Sequence, residues 1–389
     1  MQLSSQITGL TGGGSDGWDL FYKARRMIAD GQPVIELTIG EHDTRTDPTI
    51  LDSMNGAATG GHTGYAPVPG TASLRQIVAD RLTARTGVAT TPDNILITPG
   101  GQAALFAAHT AACDPGDNAL YCDPYYATYP GTIRAAGAVP ISVPTKPENG
   151  FQPRQPDIEA NARGAKSLLV NSPNNPTGVV YSRKTIEGIA TACIAHDLWL
   201  ISDEVYDTQV WQGEHISPRA LPGMVERTLV VGSMSKSHAM TGSRIGWIAG
   251  PADVIAHLIN LATHTTYGVP GFIQDAAVFA LNAGAELEKK IAAPFFRRRN
   301  IVARVIKDQN VVRLVPADGA MYVMLDIRET GLSGEQFGDA LLEQELIAVM
   351  PGESFGQSAA GHIRVAMTID DDQFEHALKR ITSFAQGLT

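Results

Sequence analysis

Apolar runs recur along most of the chain, with longer amphipathic stretches between them. From about residue 72 the pattern becomes regular. SLRQIVADRLTARTG (73–87) has helical spacing and leads into NILITPGG (94–101), an apolar run that ends on paired glycines. A helix is predicted from Gln102 to Cys113. NALYCDP, AVPISVP, SLLVNSP, LWLISDE and TLVVGSM follow as further strands, with helical stretches such as KTIEGIATACIAHD (184–197) between several of them. Strands that are apolar throughout, rather than alternating, belong in a sheet covered on both faces. Alternation with helices therefore predicts an α/β fold on a largely parallel sheet.

The two ends read differently. WDLFYKARRMIADG (18–31) is an amphipathic helix stopped by Gly31, and VIELTIG (34–40) is strand-like. GGGSDG (12–17) reads as a flexible hinge in an N-terminal arm. After about residue 285 a charged helix, ELEKKIAAPFFRRRNIVARVIKD (286–308), precedes short strands in VRLVPADGAMYVMLDI and HIRVAMTI. This predicts a smaller α+β domain. The expected division is 1–44 for the arm and the start of the small domain, 45–284 for the large domain, and 285–389 for the rest of the small domain. RRR at 297–299 reads as a solvated helix face.

Composition narrows the function. A chain of 389 residues with 43% hydrophobic residues can build its core without metal or disulfide support. A net charge of −10 argues against nucleic acid and anionic membrane as partners, since both reward clustered cations. Cys113, Cys122 and Cys193 are widely spaced, so three reduced thiols are expected, with neither a disulfide framework nor a metal site. No run of 18 apolar residues predicts a membrane span, and MQLSSQITGLTGGGSDGW lacks the pattern of a signal peptide. The expected compartment is the cytoplasm.

Four segments at strand ends carry candidate chemistry, since open α/β sheets bind ligands there. In TPGGQAALF (98–106), Gly100, Gly101 and Gln102 form either a tight strand–helix turn or a phosphate cradle of unobstructed N–H groups. NSPNNPTG (171–178) offers the amides of Asn171, Asn174 and Asn175 in a proline-stiffened loop. In LISDEVY (200–206), Asp203 follows an apolar strand and is expected to be buried, as a helix cap or opposite a cation, with Tyr206 one helical turn later. In SMSKSHAMTG (233–242), Lys236 sits among Ser233, Ser235, Ser237 and Thr241, with Arg244 eight residues on. A lysine in such a segment is either solvated or forms a Schiff base with a carbonyl compound.

Phosphate cradle, buried carboxylate, amide and hydroxyl donors, and lysine together match what pyridoxal phosphate (PLP) needs. In this order the motifs resemble those of the class I/II aminotransferases of the aspartate aminotransferase superfamily, from about Trp18 to the C-terminus. The resemblance implies the PLP-dependent transferase fold of type I, with a mainly parallel seven-stranded sheet. It implies Lys236 as the lysine that carries the cofactor and then serves as base at the substrate's α-carbon. Asp203 would pair with the pyridine nitrogen, and Asn175 and Tyr206 with the phenolic oxygen. Gly100, Gly101, Gln102, Ser233, Ser235 and Arg244 would hold the phosphate. Tyr126, in DPYYATYP, would stack on the ring. Tyr65, in GYAPVPG, would reach the phosphate of a neighbouring subunit, implying a homodimer. Arg364, in HIRVAM, would take the substrate α-carboxylate, with Gly40 close to the substrate.

WDLFYKA, AHDLWLISDEVY, GEHISPRALPGM, SKSHAMTG, GFIQDAA and SAAGHIR resemble the arginine–pyruvate transaminase branch. That implies an arginine, basic or broad amino donor, with pyruvate as acceptor, in a ping-pong reaction. Gln102 stands where some dicarboxylate-using relatives carry lysine, and GEHDTRTDP (40–48) departs from their commoner GEPDFDTP at His42 and Thr44. Glu41, Asp43 and Asp47 make an acidic mouth, suited to a cationic side chain or simply solvated. An aspartate or aromatic type of aminotransferase and a PLP carbon–sulfur β-lyase are the alternatives on the same fold. A ligand-sensing regulator is not expected, because such proteins add a DNA-binding domain and 17 residues precede Trp18. A nicotinamide dehydrogenase is not expected either, since the glycine pair lacks the third glycine of G-x-G-x-x-G.

Overall fold

The computed structural model describes residues 1–14 and 17–389. Of the hinge expected at 12–17, residues 15 and 16 lie outside the described residues. The large sheet has seven strands: β1 (Ile95–Thr98), β2 (Asn118–Asp123), β3 (Val139–Pro144), β4 (Ala165–Asn171), β5 (Trp199–Asp203), β6 (Thr228–Ser233) and β7 (Gly246–Ala249). Their order across the sheet is β1-β7-β6-β5-β4-β2-β3. β7 runs antiparallel to both neighbours, and all other pairs are parallel. The α/β sheet read from the apolar runs is therefore present. The four-residue β7, GWIA, is too short to register as a run.

Burial explains why these strands lack alternation. Every residue of β1, β5 from Leu200 on, β6 and β7 is buried. Helices supply the cover on both faces. Ala72–Thr86 is capped by the Thr71 hydroxyl, which accepts from the Leu74 amide, and stops at Gly87 with φ 71°. Gly101–Ala112 follows β1 directly, and Arg183–Ala195 lies between β4 and β5. Cys193 on the last of these is core.

A second core surrounds a four-stranded sheet that includes Tyr322–Asp326 paired antiparallel with His362–Ala366. The N-terminal segment joins this part of the chain, since Ile35–Glu36 pairs in parallel with Ile347–Ala348. Only two residues of the expected strand at 34–40 are paired. The long helix runs from Gly284 to Lys307.

Three expectations need correction. RRR at 297–299 is not solvated throughout: Arg297 is exposed, but Arg298 is 3% exposed and its guanidinium bonds Asp43 (2.6 Å), Asp371 (2.9 Å) and the Met367 carbonyl (3.0 Å). Nor is the acidic mouth a single feature. Asp43 is consumed by Arg298, while Asp47 caps the helix Pro48–Thr59 and pairs with Lys290 at 2.9 Å. Finally, no helix follows Asp203, and Tyr206 lies in a turn.

Candidate active site

The ends of β1, β4, β5 and β6 open onto one cavity of about 350 Å³, a size suited to a small ligand. Gly40, Gly101, Gln102, Tyr126, Asn175, Asp203, Tyr206, Ser233, Ser235, Lys236, Arg244 and Arg364 all line it. The sequence-predicted residues thus converge, with two exceptions. Gly100 lies behind the wall, and Tyr65 is 91% exposed, edge-on to Tyr267 at 5.3 Å between centroids.

One end of the cavity is built for an anion. Gly100 precedes the helix Gly101–Ala112 with φ 80°, and a Cβ there would come within 2.4 Å of the Arg244 guanidinium. That guanidinium is held by the carbonyls of Thr241 (3.0 Å) and Pro99 (3.4 Å). Among the described residues it pairs with no carboxylate. A twelve-residue helix points its N-terminal N–H groups into the same end. The Ser233 hydroxyl accepts from the Ser235 amide at 3.1 Å and donates to the Ser235 hydroxyl at 3.0 Å, which links both hydroxyls at the wall. The Gln102 side-chain amide donates to Thr132 Oγ1 at 2.6 Å.

Asp203 closes the floor at the tip of β5. It is 4% exposed, and Oδ2 accepts from the Tyr129 hydroxyl at 2.7 Å. Burial pushes its carboxyl up to about 6, against the bonds from Tyr129 and the Val205 amide. A carboxylate this deep favours a cationic partner. Asn171 at the tip of β4 donates to the Asp203 carbonyl (2.9 Å) and accepts from the Asn175 amide (2.8 Å), locking the two loops together.

Lys236 lies on the single turn Met234–Ser237 after β6, and its ammonium donates to the Gly40 carbonyl. Gly40 is obligatory there, because a Cβ would sit 1.6 Å from the Tyr322 hydroxyl oxygen. Gly40→Ala is therefore expected to cost about 1–3 kcal/mol in denaturant unfolding. Unchanged stability would mean that Tyr322 swings away freely.

Arg364, on the strand His362–Ala366, is 1% exposed. Nη1 donates to Asn175 Oδ1 at 2.9 Å, and Nη2 donates to the Thr38 carbonyl. The guanidinium lies 4.3 Å from the ring centroids of both Tyr322 and Phe355. Among the described residues no carboxylate neutralises it, and Nε is buried without a partner. Burial pushes its pKa down.

Reasoning from sequence missed Tyr129, Tyr322 and Phe355, and offered Asn171 only as one loop amide among three. For Tyr129 a signal was present: a buried Asp203 needs donors, and DPYYATYP carries three tyrosines. Among the described residues no group of three or more metal-ligating side chains occurs.

These donors fit pyridoxal phosphate. The glycine and serine wall with Arg244 would hold the phosphate, Asp203 the pyridine nitrogen, and Tyr206 with the Asn175 amide the phenolic oxygen. Asn175 can do this because its carbonyl oxygen is already taken by Arg364.

The aminotransferase class I and II family model matches residues 32–381. The chain is 40% identical to the arginine–pyruvate transaminase of Pseudomonas aeruginosa, over all of this chain and 99% of that one. It is 34% identical to the aspartate/prephenate aminotransferase of Thermus thermophilus, over 92% of each. The solved structure of Thermus thermophilus aspartate aminotransferase with maleate superposes with a TM-score of 0.92 at 32% identity, covering 99% of this chain and 100% of that one. By these matches the chain belongs to the PLP-dependent class I and II aminotransferases.

Proposed function

We propose that this aminotransferase takes the amino group of a basic L-amino acid, arginine first, and passes it to a 2-oxo acid such as pyruvate in a ping-pong cycle. Identity of 40% along the full length to an arginine–pyruvate transaminase supports the substrate pair. The observation that carries the site reading is Arg364, a buried cation without a carboxylate. Leaving it so is costly unless an anion arrives, and both amino acids and 2-oxo acids bring an α-carboxylate.

Bound PLP supplies an electron sink for the pair released at the substrate's α-carbon. The protein does the rest. Arg364 holds the α-carboxylate and Asn175 steadies the guanidinium, so the Cα–H bond is presented in one direction. Lys236 takes the α-proton and returns it on the other side of the reaction. The Gly40 carbonyl, which takes the ammonium here, keeps that nitrogen at the substrate face. Asp203 would pair with the ring nitrogen and favour its protonated form, and the Tyr129 hydroxyl aims the carboxylate. Tyr126, edge-on to Tyr129 at 5.8 Å between centroids, lines the cavity and would stack on the cofactor ring.

Arg364→Lys tests this directly. A single ammonium cannot reproduce a fork, so KM for donor and acceptor alike should rise about 30- to 1000-fold, equivalent to about 2–4 kcal/mol. Unchanged KM values would remove Arg364 from substrate binding.

Relatives that act on aspartate and prephenate favour a second reading, a dicarboxylate donor. Gln102 weighs against it, since a neutral amide turned toward Thr132 offers no charge to a second carboxylate. Half-reactions with arginine, lysine, aspartate and phenylalanine separate the two readings. Pyruvate formed without any acceptor would indicate the β-lyase.

The same proposal includes a homodimer, supported by the exposed, mutually packed pair Tyr65 and Tyr267. It includes a division of the chain at 44/45 and 284/285, supported by the pairing of Ile35–Glu36 with Ile347–Ala348. A cytoplasmic setting is supported by three free, buried cysteines. No helix among the described residues is long and apolar enough to cross a membrane.

A further inference from the structure

Arg364 is set between two rings, and the two are held very differently. Tyr322 belongs to the strand Tyr322–Asp326, in register with the Arg364 strand. Phe355 comes from irregular chain, the short turns Gly352–Phe355 and Gln357–Ala359. Two carboxylates pin those turns. Glu353 Oε1 accepts from the amides of Gly334 (3.0 Å) and Gly361 (3.1 Å). Asp123 reaches across from the tip of β2, accepting from the amides of Gln357 (3.1 Å) and Ser358 (3.2 Å).

The fit around Asp123 is close. The Tyr125 amide donates to the Phe355 carbonyl at 2.9 Å. Gly356 has φ 116°, and a Cβ there would lie 2.1 Å from Asp123 Oδ1. Only glycine lets the carboxylate come so near. Asp123 is 5% exposed, and burial raises its carboxyl to about 6. Burying a carboxylate to bond backbone amides is costly, and what those bonds fix is the turn carrying Phe355.

We propose that Asp123 is a positioning residue for substrate binding: by clasping the 357–358 turn it lays Phe355 on Arg364 and so fixes the fork that takes the α-carboxylate. This rests on the reading of Arg364 given above. Donor and acceptor use the same fork in turn, so both depend on Asp123. Proton transfer depends on Lys236 and Asp203, which sit on other strand tips.

The test compares Asp123→Ala, Asp123→Asn, Phe355→Leu and the double variant Asp123→Ala/Phe355→Leu. It reads KM and kcat for donor and pyruvate, and the dissociation constant of propionate by calorimetry. Asp123→Ala should raise both KM values and the propionate constant about tenfold, with kcat within about twofold. Asp123→Asn keeps one carbonyl acceptor and should fall between alanine and wild type. The double variant should be no worse than the poorer single variant, because both act through one contact. Effects that multiply in the double variant, or binding unchanged in both Asp123 variants, would overturn the proposal. If the alanine variant fails to fold, the asparagine variant and Phe355→Leu must each still weaken propionate. Binding unchanged in those two while Arg364→Lys weakens it sinks the Asp123 inference alone. Binding unchanged in Arg364→Lys as well sinks the reading of Arg364.

Discussion

Lys236→Ala should lower transamination by at least about 10⁴-fold, the upper end of what a positioned base supplies. The size follows from Lys236 having two tasks, anchoring the cofactor and moving the α-proton. Among the described residues its ammonium bonds only the Gly40 carbonyl, so its loss should leave the fold intact. The protein should still unfold cooperatively near the wild-type temperature while lacking the visible band of the lysine-bound cofactor. Turnover within tenfold of wild type would assign the base elsewhere.

Asp203→Asn should cost about 10²–10⁴-fold in kcat/KM, equivalent to the about 3–5 kcal/mol of breaking one side of a buried ion pair. Asparagine keeps the shape and the bond to Tyr129 but not the charge. A pH signature accompanies this. Burial raises the Asp203 carboxyl from 3.8 to about 6 in the cofactor-free protein. A raised carboxyl stabilises the fold fully below pH 3.8, and that stability fades as pH rises through about 6, by about 3 kcal/mol at most. A cation on the ring nitrogen offsets the loss. The gain in Tm on adding PLP should therefore widen between pH 5 and pH 7, and Asp203→Asn should flatten it. A gain independent of pH in wild type would count against the pairing.

The fold and most of the site were legible in sequence for one physical reason. Parallel strands buried on both faces must be apolar runs, and polar residues that end such runs must sit at their tips. Asn171, Asp203 and Ser233 end such runs, and Asn175 and Lys236 follow shortly after two of them. What stayed hidden depends on partners far apart in the chain. Arg298 is buried because Asp43 lies 255 residues away to neutralise it, and no local pattern marks such a pair. Phe355 meets Arg364 only because two irregular turns are pinned from outside. β7 is short and antiparallel, so neither length nor periodicity announces it.

The most direct measurement of the central claim is the visible spectrum of the PLP-loaded protein as single amino acids are added without acceptor. Arginine should abolish the lysine-bound band and release one 2-oxo acid per site, faster than aspartate or phenylalanine do. A protein that gains no band with PLP, or a band that no amino acid removes, would contradict the account.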